Sequence, residues 1–289
     1  MCYIKTRFSS CPCCRNDRLV RLYANPHPLP VTNWRQFYFG GREFLPDIIG
    51  CGMCGYHFLN YLHPEDALFY QTLDLSDFKE LTQQRRNYFT LVRKSLESAG
   101  LTLQPKKHIL DIGCGNGEWL ETWHGDVIGH GIEIHPDYIV HLRKKGFAAL
   151  SLEEAMPEGY AMVSLFDVLE HVAEPSTLLE QAATLVCPGG HLVLGVPDMG
   201  RWIVRMLAER YYLYCPAHYS YFTRSALLFL IKNTLHKKIK INIFPSPPMG
   251  TSVNGVLKWL GGLKVADNWN FQLPIGYRAS MIVWIYLEE

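Results

Sequence analysis

The chain has no run of 18 apolar residues, which excludes a helix that crosses a bilayer. It has no excess of one charge either. Against 28 Lys and Arg stand 27 Asp and Glu, a net charge of +1, so a broad basic field for nucleic acid is not expected. The opening residues, MCYIKTRFSSCPCC, lack the apolar centre that a signal peptide needs. No internal repeat and no low-complexity segment breaks the chain. Nine cysteines, an odd number, do not close into a disulfide framework, and a reduced cytosolic setting is expected. What is present is a core: 289 residues, 48% of them apolar, suit one large domain or one domain with a small module.

The most informative stretch is HILDIGCGNG, His108 to Gly117. The apolar run Ile109, Leu110, Ile112 carries one acid, Asp111, and ends in Gly113, Gly115 and Gly117. This reads as a buried strand entering a tight turn, with EWLETW opening a helix at Glu118. Glycines there let backbone close on a ligand. A second short strand, VIGHGIEI, ends in Glu133, where an acid can accept hydrogen bonds from both hydroxyls of a ribose. A dinucleotide site wants a third glycine where Glu118 stands, and a carboxylate at a helix start repels a pyrophosphate. S-adenosylmethionine fits better, because it has a ribose, no phosphate, and an ammonium that favours Asp111.

These residues resemble a class I S-adenosylmethionine-dependent methyltransferase. ILDIGCGNG is similar to the family's first motif and GIEIHPD, Gly131 to Asp137, to its second. FDVLEHVAEPSTLL and LVCPGGHLVLGVPD follow in family order. The resemblance implies a doubly wound, mostly parallel, seven-stranded Rossmann-like α/β sheet with an antiparallel last strand. It places Asp111, Gly113, Cys114, Gly115, Gly117, Glu133, Ile134, Leu152, Phe166 and Asp167 around the cofactor. Pro188-Gly189-Gly190 reads as a tight turn before the fifth strand.

The cysteines are grouped. Cys11-x-x-Cys14 and Cys51-x-x-Cys54 form two knuckles separated by 36 residues. Tetrahedral zinc takes four thiolates, two from each knuckle, and a closed set of four is structural. Gly55 suits the bend after Cys54. Cys13 is a surplus thiol able to replace Cys11 or Cys14. Between the knuckles, NWRQFYFGGREF, Asn33 to Phe44, reads as a hairpin through Gly40-Gly41. Residues 51–71 resemble the second knuckle of zinc-ribbon-bearing methyltransferases, with Phe58, Leu59, Pro64 and Tyr70 matching and Asn60 to His63 departing.

Apolar residues at helical spacing over Leu75 to Gly100, ending at a glycine, predict a helix that links module and core. Arg85 and Arg86 read as solvated charges on it. Strands are expected near 108–113, 127–133, 147–150, 160–166, 190–196, 238–244 and 279–287. The division expected is 1–62 zinc-ribbon-like module, 63–103 helical linker or lid, and 104–289 methyltransferase domain.

The acceptor side is less determined. His171, in LEHV, and His218, in PAHYSYFT, are candidate general bases, since an imidazole titrates near neutral pH. Each also reads as a residue that only fixes a loop. Alternatively, Asp167, Glu170 and His171 share a face if their segment turns helically, and with His218 they offer ligands to a divalent ion. The leading reading is methyl transfer to a small acceptor, a sugar nucleotide or natural-product intermediate, at O, N or C. The alternative is an RNA or protein methyltransferase that docks through the zinc module. No membrane partner is expected, and the oligomeric state is undetermined.

Overall fold

A computed structural model describes residues 4–5, 8–25, 27–63, 65–73, 81–208, 211–247, 249–252, 272–277 and 280–288. In chain order the first strands are β1 (Ile4–Lys5), β2 (Leu19–Tyr23), β3 (Ile48–Cys51), β4 (His57–Leu59) and β5 (Tyr61–Leu62). Helices α1 (Trp34–Phe39), α2 (Asp66–Gln71) and α3 (Leu81–Ser98) lie among and after them. The second half runs β6 (His108–Ile112), α4 (Glu118–Glu121), β7 (Ile128–Ile132), α5 (Pro136–Lys144), β8 (Ala148–Leu150) and β9 (Tyr160–Phe166). It continues with α6 (Pro175–Leu185), β10 (Val186–Pro197), α7 (Trp202–Leu207), β11 (Ser220–Tyr221), α8 (Arg224–Thr234) and β12 (Ile239–Pro245). The antiparallel pair β13 (Met249–Ser252) and β14 (Gln272–Tyr277) precedes β15 (Ser280–Leu287).

Seven strands form the main sheet in the order β12-β15-β10-β9-β6-β7-β8. β8, β7, β6, β9 and β10 are parallel, and β15 runs antiparallel to both β10 and β12. Side chains alternate across the sheet, as the two-residue period of a strand requires. Leu110, Ile112, Val163, Leu165, Leu192 and Leu194 share a core with α6 and α8. Ile109, Met162, Phe166 and Val193 face the other way and pack on α3, α4 and α5. Burial on both faces explains why these strands read as continuous apolar runs. The strand order reverses between β6 and β9, which opens a crevice at their carboxyl ends.

A second sheet, β11-β4-β3-β2, joins the N-terminal segment to the stretch before α8. Ser220 and Tyr221 pair with Phe58 and His57. An aromatic core then sets Phe37, Leu59 and Phe69 against Tyr211, Tyr214, Tyr219 and Tyr221.

Two expectations are corrected. Asn33 to Phe44 is not a hairpin: Asn33 accepts the Gln36 N–H at 3.0 Å and caps α1, the usual task of an asparagine at that position. Its aromatics at 34, 37 and 38 have helical, not alternating, spacing. The Pro188-Gly189-Gly190 turn lies inside β10, whose pairing to β9 shifts between Val186 and His191. Gly189, at φ +70, permits that bulge. Helix α3 spans 81–98 of the expected 75–100, and Leu75 to Glu80 and Pro64 lie outside the described residues.

Candidate active site

The crevice is floored by the glycine turn after β6. Gly113 and Cys114 donate to the Ile132 carbonyl at 2.8 and 3.1 Å, which ties the turn to β7. Gly113 has φ +70, and a Cβ there would meet Val168 Cγ2 at 2.4 Å. Gly115, at φ +54, faces open space apart from Tyr138 at 4.0 Å. The turn is therefore bare backbone on the side a ligand approaches. Gly117, also left-handed, hands the chain to α4. Cys114 Sγ points away, under Gly131.

Glu133 stands opposite, with 7% of its surface exposed. Its Oε1 accepts Ile134 and His135 N–H at 2.7 and 2.8 Å, and its Oε2 accepts Gly115 N–H at 2.7 Å. The Tyr70 hydroxyl of α2 donates to the same Oε2 at 3.1 Å. Backbone donors thus fix the carboxylate beside the glycine turn. Asp111 is buried and accepts from Ser164 Oγ at 2.6 Å. Burial pushes its carboxyl up to about 7, against the pull of Ser164 and Arg85. Ile134 is exposed, Leu152 half-buried. The Phe166 ring turns inward between Phe89 and Trp119, 5.0 Å from each, so only its backbone reaches the crevice rim.

Arg85 is not simply solvated. Its guanidinium lies over Phe89 at 5.3 Å, with Nε 3.9 Å from Glu118 and a terminal nitrogen 3.8 Å from Asp167. Arg85, Tyr70 and Tyr38 are site neighbours that motif reading missed. A positive charge placed one turn before Tyr88-Phe89 on α3 was the available signal for Arg85. Asp167 itself holds a left-handed backbone, φ +55, which a non-glycine residue keeps only when its surroundings impose it.

On the other side of the crevice a short 3₁₀ turn, Leu169–His171, brings Glu170 and His171 to His218. The two imidazole centroids are 4.7 Å apart. His171 Nδ1 donates to Ala217 O at 2.9 Å and His218 Nδ1 to Leu213 O at 2.8 Å. Burial holds His171 below its usual range, and burial with the neighbouring His171 holds His218 well below it. Tyr38, on α1, lies 5.8 Å from His171 and 6.4 Å from Tyr70. Asp167 stays outside this trio, paired with Arg85.

His218 is positioned from the N-terminal side. Ala217 N–H donates to Phe37 O at 3.1 Å, and Leu59 N–H donates to Tyr219 O at 3.0 Å. Tyr56 and Ser220 hydroxyls meet at 2.5 Å.

Cys11, Cys14, Cys51 and Cys54 converge, with Sγ atoms within 4.8 Å of one another. Cys11 and Cys54 Sγ are 3.7 Å apart, Cys14 and Cys51 3.5 Å. A tetrahedron with Zn–S of about 2.3 Å has edges of about 3.8 Å, so the set fits zinc. Gly55, at φ +69, bends the second knuckle as expected. Cys13 Sγ turns instead toward Ala226 O at 4.0 Å, outside the convergent four.

Among known proteins, the family described as "Methyltransferase domain" matches residues 83–234. The chain is similar to the ubiquinone biosynthesis O-methyltransferase of Photorhabdus laumondii, 27% identical over 121 residues, 37% of this chain and 50% of that one. It spans about half the length of the relatives it matches in this way. Two solved structures share the fold. A SAM-dependent methyltransferase of Thermotoga maritima superposes with a TM-score of 0.52 at 14% identity, covering 78% of this chain and all of that one (100%). A chain of the complex between the Haloferax volcanii Trm112 methyltransferase activator and a methyltransferase gives 0.54 at 12% identity, covering 79% and 100%. No helix among the described residues is long and apolar enough to cross a membrane.

Proposed function

Because the chain belongs to the methyltransferase-domain family, we propose that it transfers a methyl group from S-adenosylmethionine to a small-molecule acceptor. The finer acceptor classes are a sugar nucleotide or a natural-product intermediate. The observation that carries the reading is Glu133, a carboxylate held by backbone amides directly across from Gly115. Glu133 accepts ribose hydroxyls there, which take the places held at Oε2 by the Tyr70 hydroxyl and the Gly115 N–H. Asp111 favours the ammonium of the methionine end. Ile134 and Leu152 cover the adenine. When bound, S-adenosylmethionine supplies an electrophilic methyl on a sulfonium that leaves without acid help. Positioning of two reactants therefore provides much of the acceleration.

The acceptor lies between Asp167 and His218, under Tyr38 and Tyr70. His171 and His218, whose Nδ1 atoms are bonded to backbone carbonyls, each keep an Nε2 lone pair that can take up an acceptor's proton. Two features favour a small acceptor over RNA or protein. The cluster is walled by buried aromatics, and the cysteine module is hydrogen-bonded into that wall rather than standing apart. The similar Photorhabdus laumondii protein is named for ubiquinone biosynthesis, a small-molecule pathway. The four thiolates hold one structural zinc ion, which a reducing compartment preserves.

Calorimetric titration with S-adenosylmethionine and S-adenosylhomocysteine tests the cofactor. Binding of both is expected, and a folded protein that binds neither overturns the reading. Incubation of labelled cofactor with small hydroxylated metabolites and with bulk RNA separates the acceptor classes.

A further inference from the structure

Glu170 occupies an expensive position. It is 1% exposed, and its Oε2 is buried with no hydrogen-bond partner. Buried polar atoms are almost always satisfied, and an orphaned one asks for a ligand.

Beside it stand two imidazoles with fixed tautomers. A backbone carbonyl only accepts, so the bonds from His171 Nδ1 to Ala217 O and from His218 Nδ1 to Leu213 O place the ring proton on Nδ1 in both. Each ring is left with a bare Nε2. An imidazole pinned through its other nitrogen to a carbonyl is how proteins orient a metal ligand. One donor atom from each of Glu170, His171 and His218 lies within 4.8 Å of the other two. The nearby guanidinium of Arg85 is directed to Asp167 and Glu118, not to Glu170.

We propose that Glu170, His171 and His218 bind a divalent cation on the acceptor side of the crevice. This deepens the methyl-transfer reading and rests on it for the statement that the acceptor is near. One carboxylate and two imidazoles select a transition ion rather than Mg²⁺ or Ca²⁺, which prefer all-oxygen sites. They are unlike the four soft thiolates of the cysteine centre, so the two sites differ in ion preference. Three protein ligands leave coordination positions open, and an acceptor oxygen fills one of them. The acceptor class that follows carries a hydroxyl or similar oxygen next to the methylated atom, or as that atom.

The probe is Mn²⁺, titrated into the full chain with its cysteine zinc retained, read by electron paramagnetic resonance and calorimetry. One Mn²⁺ per chain is expected. Glu170→Gln and His218→Ala should each weaken it by about tenfold or more, and removal of the exposed His124 imidazole should leave it unchanged. His171→Ala serves if either variant fails to fold. Absence of Mn²⁺ binding by the folded wild type overturns the site, as does binding that all three variants retain. Cofactor titration on the same sample separates the two ideas. Cofactor binding without Mn²⁺ removes the ion and leaves methyl transfer standing. Mn²⁺ binding without cofactor leaves the ion site and removes its catalytic setting.

Discussion

The two sides of the crevice are built in opposite ways. The cofactor side runs from Asp111 to Glu133 and is fixed by contacts among neighbours: the glycine turn, the Ile132 carbonyl and the amides that hold Glu133. The acceptor side draws on Tyr38, Tyr70, the Glu170-His171 pair and His218, which come from four separate segments. The first rests mainly on one βαβ unit, to which Ser164 and Tyr70 add one bond each. The second exists only if the cysteine module, the crossover after β9 and the segment before α8 all arrive together. Local construction leaves the glycine turn and Glu133 with few ties to the N-terminal segment, Tyr70 being one, whereas the histidine side depends on many.

The severest way to break this comparison is at the cysteines. A small zinc centre contributes on the order of 10–16 kcal/mol, comparable with the net stability of a domain. Cys51→Ser with Cys54→Ser should remove one zinc per chain by elemental analysis and unfold the N-terminal segment by proteolysis. Methyl transfer should vanish while cofactor binding persists. Joint loss of both would mean the halves fold as one unit.

Next in size is His218→Ala. Whether its Nε2 accepts a proton or holds an ion, turnover should fall by about 10²–10⁴-fold with cofactor affinity retained. A near-normal rate returns His218 to a loop-fixing role.

On the cofactor side, Glu133→Ala should weaken S-adenosylmethionine by roughly 1.5–3 kcal/mol, the range for hydrogen bonds to a charged group. Calorimetry with circular dichroism checks it, and unchanged affinity in a folded variant removes Glu133 from the ribose.

The smallest effect sharpens the picture at Asp111. Its folded carboxyl titrates at about 7, above its ordinary 3.8. A raised pKa means stability is fully present below the lower value and is lost as pH rises through the upper one. Asp111→Asn removes that loss, so in denaturant melts it should gain stability over wild type progressively from about pH 4 to about pH 7. Cofactor affinity should run the other way: wild type tightens as Asp111 ionises through about pH 7, and the Asn variant stays flat and weaker. Parallel pH profiles for the two proteins would place the titration elsewhere.

The same contrast governs what could be read before the structure. The cofactor turn, all seven main-sheet strands and the antiparallel β15 were legible, because each depends on local pattern. The cysteine knuckles were legible for the same reason. Arg85 was misread because an arginine on a helix declares its partners only once α3 packs beside α4. Asn33 was missed as a cap because aromatic density in WRQFYF imitates a strand. Tyr38 and the exclusion of Asp167 from the Glu170 trio depend on pairing of residues far apart, and on the left-handed turn at Asp167. No periodicity encodes either.

The peptide of Ala217 is gripped at both ends, its N–H by Phe37 O and its carbonyl by His171 Nδ1. Homologous exchange of the N-terminal segment alone would therefore transplant more than a metal knuckle. A shifted α1 would drag this peptide and rotate an imidazole that belongs to the Rossmann-like half, though no residue of that half had been altered. Recombination breakpoints between these halves should be tolerated only in pairs, one before α3 and one after β10, so that Phe37 and Ala217 travel together.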